Sequence, residues 1–265
     1  MIKDITLGQY LPGQSIIHKA DPRIKIMFTF LFMVVLFIVS SFYSLLLAFL
    51  FILIVFRLSG ISYRFMLKGI RPILYIILFT VVLNIFLTPG TPVLEIWFLT
   101  ITREGLLTAG LVSSRVFMFI ISGSIMTYTT TPIMLTDAIE SLLKPLKKIK
   151  VPVHEMAMMM AIALRFIPTL IDETDKIIKA QAARGADIGT GNMIERAKSF
   201  IPILIPLFIS AFRRADDLAI AMEARCYRGS EGRTSLRVLK YTRTDLFITI
   251  VFLLVCASML FLQFI

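Results

Sequence analysis

Residues 26–56 read IMFTFLFMVVLFIVSSFYSLLLAFLFILIVF and carry no charged side chain. As one α-helix these 31 residues would be about 46 Å long, whereas the hydrocarbon core of a bilayer is about 30 Å thick. Ser40 and Ser41 lie near the middle, and each half then has about 17 residues, which is enough to cross a bilayer. The stretch therefore predicts two membrane-spanning helices joined by a short turn.

The rest of the chain is similarly apolar. Of its 265 residues, 57% are hydrophobic and 17% are charged, whereas soluble domains are about 45–50% apolar. Residues 1–24 lack the apolar core of a secretory signal, and two cysteines are too few for a disulfide framework. We therefore predict an all-α polytopic membrane protein with about five transmembrane helices. The predicted spans are residues 24–40, 42–58, 72–88, 105–128 and 246–264.

The distribution of lysine and arginine predicts the orientation in the membrane. The link between the first two spans has no basic residue, and the link between the third and fourth has only Arg103, whereas residues 131–243 contain eighteen. Because basic residues concentrate in cytoplasmic loops, we expect the N-terminus and residues 131–243 in the cytoplasm. This asymmetry accounts for the net charge of +11 without a nucleic-acid partner. The predicted domains are residues 1–130 with four spans, residues 131–243, and residues 244–265 with the last span.

Arg115 lies near the middle of the fourth predicted span. An arginine inside the membrane is a candidate functional residue. It could instead face the interior of the helix bundle and bond to backbone carbonyls or to Asn84. The sequence favours this second interpretation, because no acidic partner lies in any predicted span.

The cytoplasmic segment is predicted to begin with a short amphipathic helix. Thr131 and Pro132 form a typical helix start, a capping residue followed by a proline in the first turn. Apolar residues follow at helical spacing, and four lysines between residues 144 and 150 lie at the C-terminal end of the helix. Such a helix suits a membrane surface or a protein partner.

Two longer helices are predicted next, each apolar in its first half and charged in its second. One runs from about Pro152 to Gly185 with an interruption or bend at Pro168, and the other begins near Asn192 and continues to about Arg228. The apolar halves are too short to cross a bilayer. Methionine-rich surfaces of this kind are most often core, although they can form an adaptable partner surface.

The charged ends of these two helices resemble each other. DKIIKAQAARG at residues 175–185 and DDLAIAMEARC at residues 216–226 share Asp, Ala, Ala and Arg at one offset of 41 residues. An arginine beside small residues at a helix end can present its planar donor group to a partner's carboxylate. Alternatively, both arginines only complement the negative end of a helix dipole.

The sequence contains no pattern for catalysis on this chain. It has no GxxxxGK[ST] phosphate loop, and only two histidines, His18 and His154, so no set of metal ligands is apparent. No predicted span contains a paired-carboxylate or Ser-His arrangement. We expect neither a cofactor nor a metal on this chain.

Three motifs in order resemble those of the T component, the transmembrane coupling subunit, of energy-coupling factor transporters. They are GQYLPGQS with HKADPRIK at residues 8–25, QAARGAD at residues 181–187 and AMEARCYRG at residues 221–229. The resemblance covers nearly the whole chain. Cys226 stands where the family pattern favours glycine.

The resemblance implies a non-catalytic subunit of an ATP-driven importer of vitamins or other micronutrients in a prokaryotic cell membrane. The segments at residues 181–187 and 221–229 resemble the family's two coupling motifs. Two cytosolic ATPase subunits, which would bind ATP and magnesium, are each expected to receive one of these coupling motifs. A small membrane substrate-binding component is expected to dock on the apolar halves of the long helices. The implied ATPase-binding residues are Ala183, Arg184, Gly185, Ala224, Arg225 and Cys226. The implied docking residues are Met156, Met159, Met160, Leu164, Ile203, Ile205 and Phe208.

Two other classes are weighed against this one. A self-sufficient secondary transporter should carry ionisable or broken-helix sites near the membrane midplane and internal repeats of its spans, and only Arg115 qualifies. A membrane enzyme should show a catalytic constellation. Copurification with ATPase subunits would separate both from a coupling subunit.

Overall fold

A computed structural model describes residues 10–96, 99–186, 192–229 and 239–264. The α-helices are α1 (Ile16–Lys19), α2 (Pro22–Ile38), α3 (Phe42–Ser59), α4 (Tyr63–Leu87), α5 (Arg103–Thr129), α6 (Pro132–Leu143), α7 (Val153–Ala183), α8 (Met193–Ser199), α9 (Ile201–Ala224) and α10 (Arg243–Phe261). A 3₁₀ helix at Lys144–Ile149 joins α6 to α7, and two strands, β1 (Pro92–Ile96) and β2 (Leu99–Thr102), lie between α4 and α5. The prediction of an all-α polytopic membrane protein is confirmed.

The division of the long apolar stretch at Ser40 and Ser41 is confirmed. Helix α2 ends at Ile38 and α3 begins at Phe42. The backbone N–H groups of Ser40 and Ser41 donate to Oε1 of Gln263 at 2.8 and 2.9 Å, and Nε2 of Gln263 donates to Oγ of Ser40 at 2.9 Å. Polar backbone exposed at a turn between membrane helices needs such partners, because lipid supplies none.

Four helices are long and apolar enough to cross a membrane: α3, α5, α7 and α10. In α4 the apolar segment is shorter, Ile73–Leu87. The helix itself begins at Tyr63, nine residues before the predicted span. Helix α2 has 17 residues and includes Arg23 and Lys25 in its first turns. Helix α7 qualifies by length and composition, although its basic surroundings predict a cytoplasmic position.

A short antiparallel hairpin was missed by the helical prediction. In it β1 pairs with β2, with Leu94 opposite Ile101 and Ile96 opposite Leu99. Immediately after it, the Thr102 hydroxyl accepts a hydrogen bond from the N–H of Gly105 at 3.0 Å and donates one to the Thr88 carbonyl at 2.8 Å. The hairpin thus ends in the N-cap of α5, which explains why this helix begins at Arg103.

The chain divides into two compact units. Among the described residues, one contains 10–96, 99–138 and 239–264, and the other contains 139–186 and 192–229. The core of the first unit is formed by buried apolar side chains of α2, α3, α5 and α10. Ser44 is fully buried there and donates to the Met259 carbonyl at 2.9 Å, so α3 approaches α10 closely. The domain boundaries at residues 131 and 243 stay a prediction.

The N-terminal motif forms a buried polar network within the first unit. The N–H of Asp21 donates to Asp245 at 2.9 Å, and Nζ of Lys25 donates to the carbonyl of Thr129 at 3.1 Å and to the hydroxyl of Thr130 at 3.3 Å. Asp21, Lys25 and Asp245 are each less than one-tenth exposed. The described part of this motif therefore joins the start of α2 to the end of α5 and the start of α10.

Arg115 occupies the position favoured by the sequence. Its Nη2 donates to the carbonyl of Val39 at 2.7 Å, directly after α2 ends. The side-chain amide of Asn84 donates instead to the Thr80 carbonyl at 2.8 Å within its own helix. Arg115 thus satisfies a backbone carbonyl that the end of α2 leaves without an intrahelical partner.

Two prolines of the second unit lie inside a helix and in a first turn, respectively. Helix α7 continues through Pro168, so the predicted interruption is absent, and the alternative of a bend there stays a prediction. The predicted helix from Asn192 is divided at Phe200 into α8 and α9, because Pro202 occupies the first turn of α9. A proline suits a first turn but cannot continue the preceding helix, because it has no N–H to donate to the carbonyl four residues earlier, here that of Lys198. The start at Asn192 is confirmed by a capping box with Glu195.

Candidate functional site

Helix α7 ends in a Schellman motif. Arg184 is the last residue with near-helical backbone, and Gly185 follows in the left-handed conformation with φ +84°. The N–H of Gly185 donates to the carbonyl of Ala182 at 3.0 Å, and the N–H of Ala186 donates to the carbonyl of Gln181 at 3.0 Å. These two bonds satisfy carbonyls that a helix end otherwise leaves open.

Helix α9 ends in the same way, 41 residues later. The N–H of Cys226 donates to the carbonyl of Glu223 at 2.8 Å, and the N–H of Tyr227 donates to the carbonyl of Met222 at 3.0 Å. Cys226 has φ +56° and so adopts the left-handed conformation that Gly185 adopts in α7. Cys226 therefore adopts backbone that favours glycine, at a steric cost of about 1–2 kcal/mol for a residue with a side chain.

Both arginines are available to a partner. The residues predicted to bind the ATPases are exposed, and neither Arg184 nor Arg225 forms a salt bridge with a described residue. The Schellman bonds already satisfy two carbonyls at each helix end, so neither arginine is needed to cap those two. Complementing the negative end of the helix dipole stays the alternative interpretation of both arginines. The exposed set is Ala183, Arg184, Gly185, Ala224, Arg225 and Cys226.

Helices α7 and α9 cross at equivalent positions. Glu173 of α7 forms a salt bridge with Arg214 of α9, and these two residues are also 41 positions apart. Toward the end of α7, Nε2 of Gln181 donates to the carbonyl of Pro202 at 3.2 Å, near the start of α9. The helices therefore pack antiparallel, with an approximate local twofold axis near the salt bridge.

This geometry places the two coupling motifs at opposite ends of the crossed pair. Arg184 and Arg225 each lie 11 residues beyond the salt-bridge residue of their own helix, about 16 Å along the helix axis. On one side of the crossing, an apolar cleft of about 250 Å³ opens between the helices. Its lining includes Ile162, Phe166, Leu218 and Met222, with Arg214 at the crossing.

Most of the predicted docking residues are exposed on the second unit. Met156, Met159 and Met160 of α7 and Ile205 and Phe208 of α9 are all at least 40% exposed, whereas Leu164 is half-buried. They share one face on each helix, since their spacings of three, four or eight residues return to the same side.

Ile203 does not belong to this surface, because it is only 4% exposed. Residues two positions apart on a helix point about 200° apart, so Ile203 and Ile205 face opposite sides. The exposed face of α9 continues instead through Ile209 and Phe212, which are 50% and 69% exposed. Their positions four and seven residues after Ile205 are the signal that could have identified them from sequence.

The described residues contain no group of three or more metal-binding side chains. Cys226 is exposed and Cys256 is buried, and both are free thiols. The expectation that this chain holds no cofactor stays a prediction.

Comparisons with known proteins agree with this architecture. Residues 13–236 match the family model CbiQ, described as a cobalt transport protein. A curated relative from Ruminiclostridium cellulolyticum is 62% identical over 94% of this chain and 93% of its own length. Relatives from Clostridium kluyveri and Bacillus subtilis are 56% and 46% identical, and each alignment covers 98% of this chain and at least 97% of the relative. All three are named energy-coupling factor transporter transmembrane protein EcfT.

The helical membrane fold and these matches define a multi-pass component of a membrane transporter. The chain belongs to the family of energy-coupling factor transporter transmembrane proteins and is a T component, the coupling subunit, of such a transporter.

Proposed function

We propose that this T component holds two cytosolic ATPase subunits at the ends of α7 and α9 and a substrate-binding membrane protein on their apolar faces. The observation that carries the proposal is the pair of exposed arginines on identical Schellman ends, equally far from the helix crossing. Two copies of one exposed motif suit two copies of one kind of partner. Relatives named as transporter transmembrane proteins make such an assembly the natural context.

Each arginine is proposed to pair with carboxylates of one ATPase subunit. Its guanidinium has five donors in a planar fork that can bind a carboxylate in two places at once. The neighbouring Ala183 and Gly185, or Ala224 and Cys226, leave room for a partner surface to approach. ATP and magnesium are proposed to bind to those subunits, and the T component takes no part in the chemistry of hydrolysis.

The exposed methionine-rich face of α7 and the aliphatic and aromatic face of α9 are proposed to dock the substrate-binding component. Large exposed apolar surfaces need cover from lipid or protein. Methionine side chains adapt to different partner shapes. The revised surface consists of Met156, Met159, Met160, Leu164, Ile205, Phe208, Ile209 and Phe212.

Transmission between the two kinds of partner follows from helix continuity. Helix α7 extends unbroken from Val153 to Ala183, so its apolar half and its arginine end belong to one element about 46 Å long. Displacement of the arginine end by an ATPase subunit would therefore move the apolar half as well. The N-terminal segment and residues 131–243 are rich in basic residues, which supports a cytoplasmic position for these two segments.

The test is a charge reversal at the two helix ends. Loss of one partner of a buried, hydrogen-bonded charge pair costs about 2–5 kcal/mol, so Arg184→Glu with Arg225→Glu should release both ATPase subunits and stop uptake. Each single variant should retain one ATPase subunit per T component, measured as the mass of the purified complex.

A matched control is Arg165→Glu with Arg213→Glu, which reverses two exposed arginines on the same helices but outside the motifs. This control should copurify with both ATPase subunits. Normal ATPase yield and normal uptake in the Arg184/Arg225 double variant would show that the assignment is wrong.

A further inference from the structure

The corner between α6 and α7 concentrates positive charge. Lys144, Lys147, Lys148 and Lys150 lie within residues 144–150, which we call the basic corner, and all four are exposed. No acidic residue lies between Glu140 and Glu155 in the sequence. None of the four lysines forms a salt bridge with a described residue. No described carboxylate therefore pairs directly with a lysine of the corner.

Apolar side chains lie among these lysines. Ile149 is 72% exposed and Leu146 is 37% exposed. An apolar residue at the tip of a basic segment is typical of interfacial segments, in which the apolar group enters the headgroup boundary. The long lysine side chains can then lie along the apolar surface while their ammonium groups stay among the headgroups.

The backbone of the basic corner is held in a defined shape. Lys150 adopts the left-handed conformation with φ +63°, and its N–H donates to the carbonyl of Lys147 at 3.1 Å. Nδ1 of His154 lies 2.8 Å from the Glu140 carboxylate, so the start of α7 is tied to α6 across the corner. A non-glycine residue persists in this conformation only where its surroundings impose it, often at functional sites. The lysines are therefore displayed by an ordered turn.

Two of the lysines line one concave surface. Lys147 and Lys150 border a cleft of about 240 Å³ together with residues 151–155, which include His154 and Glu155. Phosphate is the anion that a membrane surface offers to exposed lysines in abundance.

The residue type and the chain position both favour lipid over protein as the partner. The two motifs proposed to bind protein carboxylates use arginine, whose fork suits paired hydrogen bonds, whereas the corner uses only lysine, a hydrated point charge suited to a diffuse anionic surface. Residues 130–143 alone separate the corner from the end of α5, and the α6 helix between them is about 18 Å long. The chain thus keeps the corner within reach of the membrane surface.

We propose that the basic corner, residues 144–150, binds the headgroups of anionic phospholipids, with Ile149 entering the acyl boundary. The proposal goes beyond the coupling function and does not depend on Arg184 or Arg225. It makes the α6–α7 corner a membrane contact of the segment that carries the coupling motifs.

The experiment uses the full chain with a single tryptophan at the corner, Trp97→Phe with Ile149→Trp. The chain is reconstituted in phosphatidylcholine vesicles with about one-fifth phosphatidylglycerol, an anionic lipid. Tryptophan quenching is compared between vesicles whose phosphatidylglycerol and vesicles whose phosphatidylcholine carries brominated acyl chains, at equal mole fraction of the brominated lipid. Each lysine raises the local concentration of anionic lipid about fivefold. At low salt, brominated phosphatidylglycerol should therefore quench the tryptophan at least about fivefold more strongly than brominated phosphatidylcholine does.

Lys144→Gln with Lys147→Gln and Lys148→Gln should weaken the preference for brominated phosphatidylglycerol several-fold, because Lys150 is then the only lysine left in the corner. High salt should do the same, because it shortens the Debye length from about 10 Å at 0.1 M to about 3 Å at 1 M. The matched control, Lys176→Gln with Lys179→Gln and Lys198→Gln, removes three exposed lysines outside the corner and should keep the preference. Arg184→Glu with Arg225→Glu should also keep it, which separates this test from that of the coupling function.

Three results would overturn the proposal. The first is equal quenching by both lipids in the chain with all four corner lysines. The second is an unchanged preference in the triple corner variant. The third is an unchanged lipid preference combined with loss of copurifying ATPase subunits in that variant, which would identify the corner as a protein-binding site.

Discussion

The left-handed residue at each coupling motif allows a reciprocal test of the helix ends. Gly185→Cys would give the end of α7 the residue found in α9, and Cys226→Gly would give the end of α9 the residue found in α7. A Cβ atom added at Gly185 would meet no atom within 4 Å, so the effect of the substitution is conformational rather than steric crowding by neighbours. The two helix ends thus serve as controls for each other.

The magnitude follows from two opposing contributions. Left-handed backbone costs a residue with a side chain about 1–2 kcal/mol. A glycine lowers the stability of the folded state by about 0.4–1 kcal/mol, because it gives the unfolded chain greater conformational freedom. Gly185→Cys should therefore weaken its helix end by about 1 kcal/mol, and Cys226→Gly should strengthen the other by a similar amount. Since about 1.4 kcal/mol is a factor of ten, each change corresponds to roughly fivefold in the local opening equilibrium.

Amide hydrogen exchange measures this opening locally. The informative amides are those of Ala186 and Tyr227, which donate the longer-range bonds of the two Schellman motifs. Exchange at Ala186 should become roughly fivefold faster in Gly185→Cys, and exchange at Tyr227 should become roughly fivefold slower in Cys226→Gly. Faster exchange at Tyr227 in Cys226→Gly would refute the reasoning, because it would mean that the thiol side chain stabilises the turn.

Three further outcomes are expected. A cysteine introduced near Pro92 should react with an impermeant thiol reagent from outside the cell, whereas one near Gly191, outside the described residues, should not; the reverse pattern would invert the proposed topology. Met159→Asp or Ile205→Asp should weaken copurification of the substrate-binding component but not of the ATPase subunits, and joint loss or no loss would contradict the docking proposal. Gly105→Ala should destabilise the chain by about 1–3 kcal/mol, because its Cβ would lie 3.0 Å from the carbonyl oxygens of Asn84 and Ile85. The control Gly110→Ala, whose Cβ would meet no atom within 4 Å, should not lower the melting temperature.

The features that the sequence determined by itself are local ones. The two serines inside residues 26–56 indicated where one apolar stretch becomes two helices, since the length of a membrane span is set by bilayer thickness. The recurrence of Ala-Arg at residues 183–184 and 224–225 predicted two matching helix ends, because helix ends are formed by neighbours within a few residues. Capping residues such as Asn192 and Thr131 marked helix starts for the same reason.

Only the tertiary structure decided which of these local features meet. The sequence offered no reason to pair Glu173 with Arg214, yet their salt bridge defines the crossing of α7 and α9 and hence the placement of the two arginine ends. It likewise did not distinguish Ile203, which is buried, from Ile205, which is exposed, until the packing of α9 was known. Asp21 and Asp245 are joined across 224 positions. Hydropathy and capping act over a turn or two of helix, whereas these pairings depend on which faces of distant helices bury each other, and composition does not specify that choice.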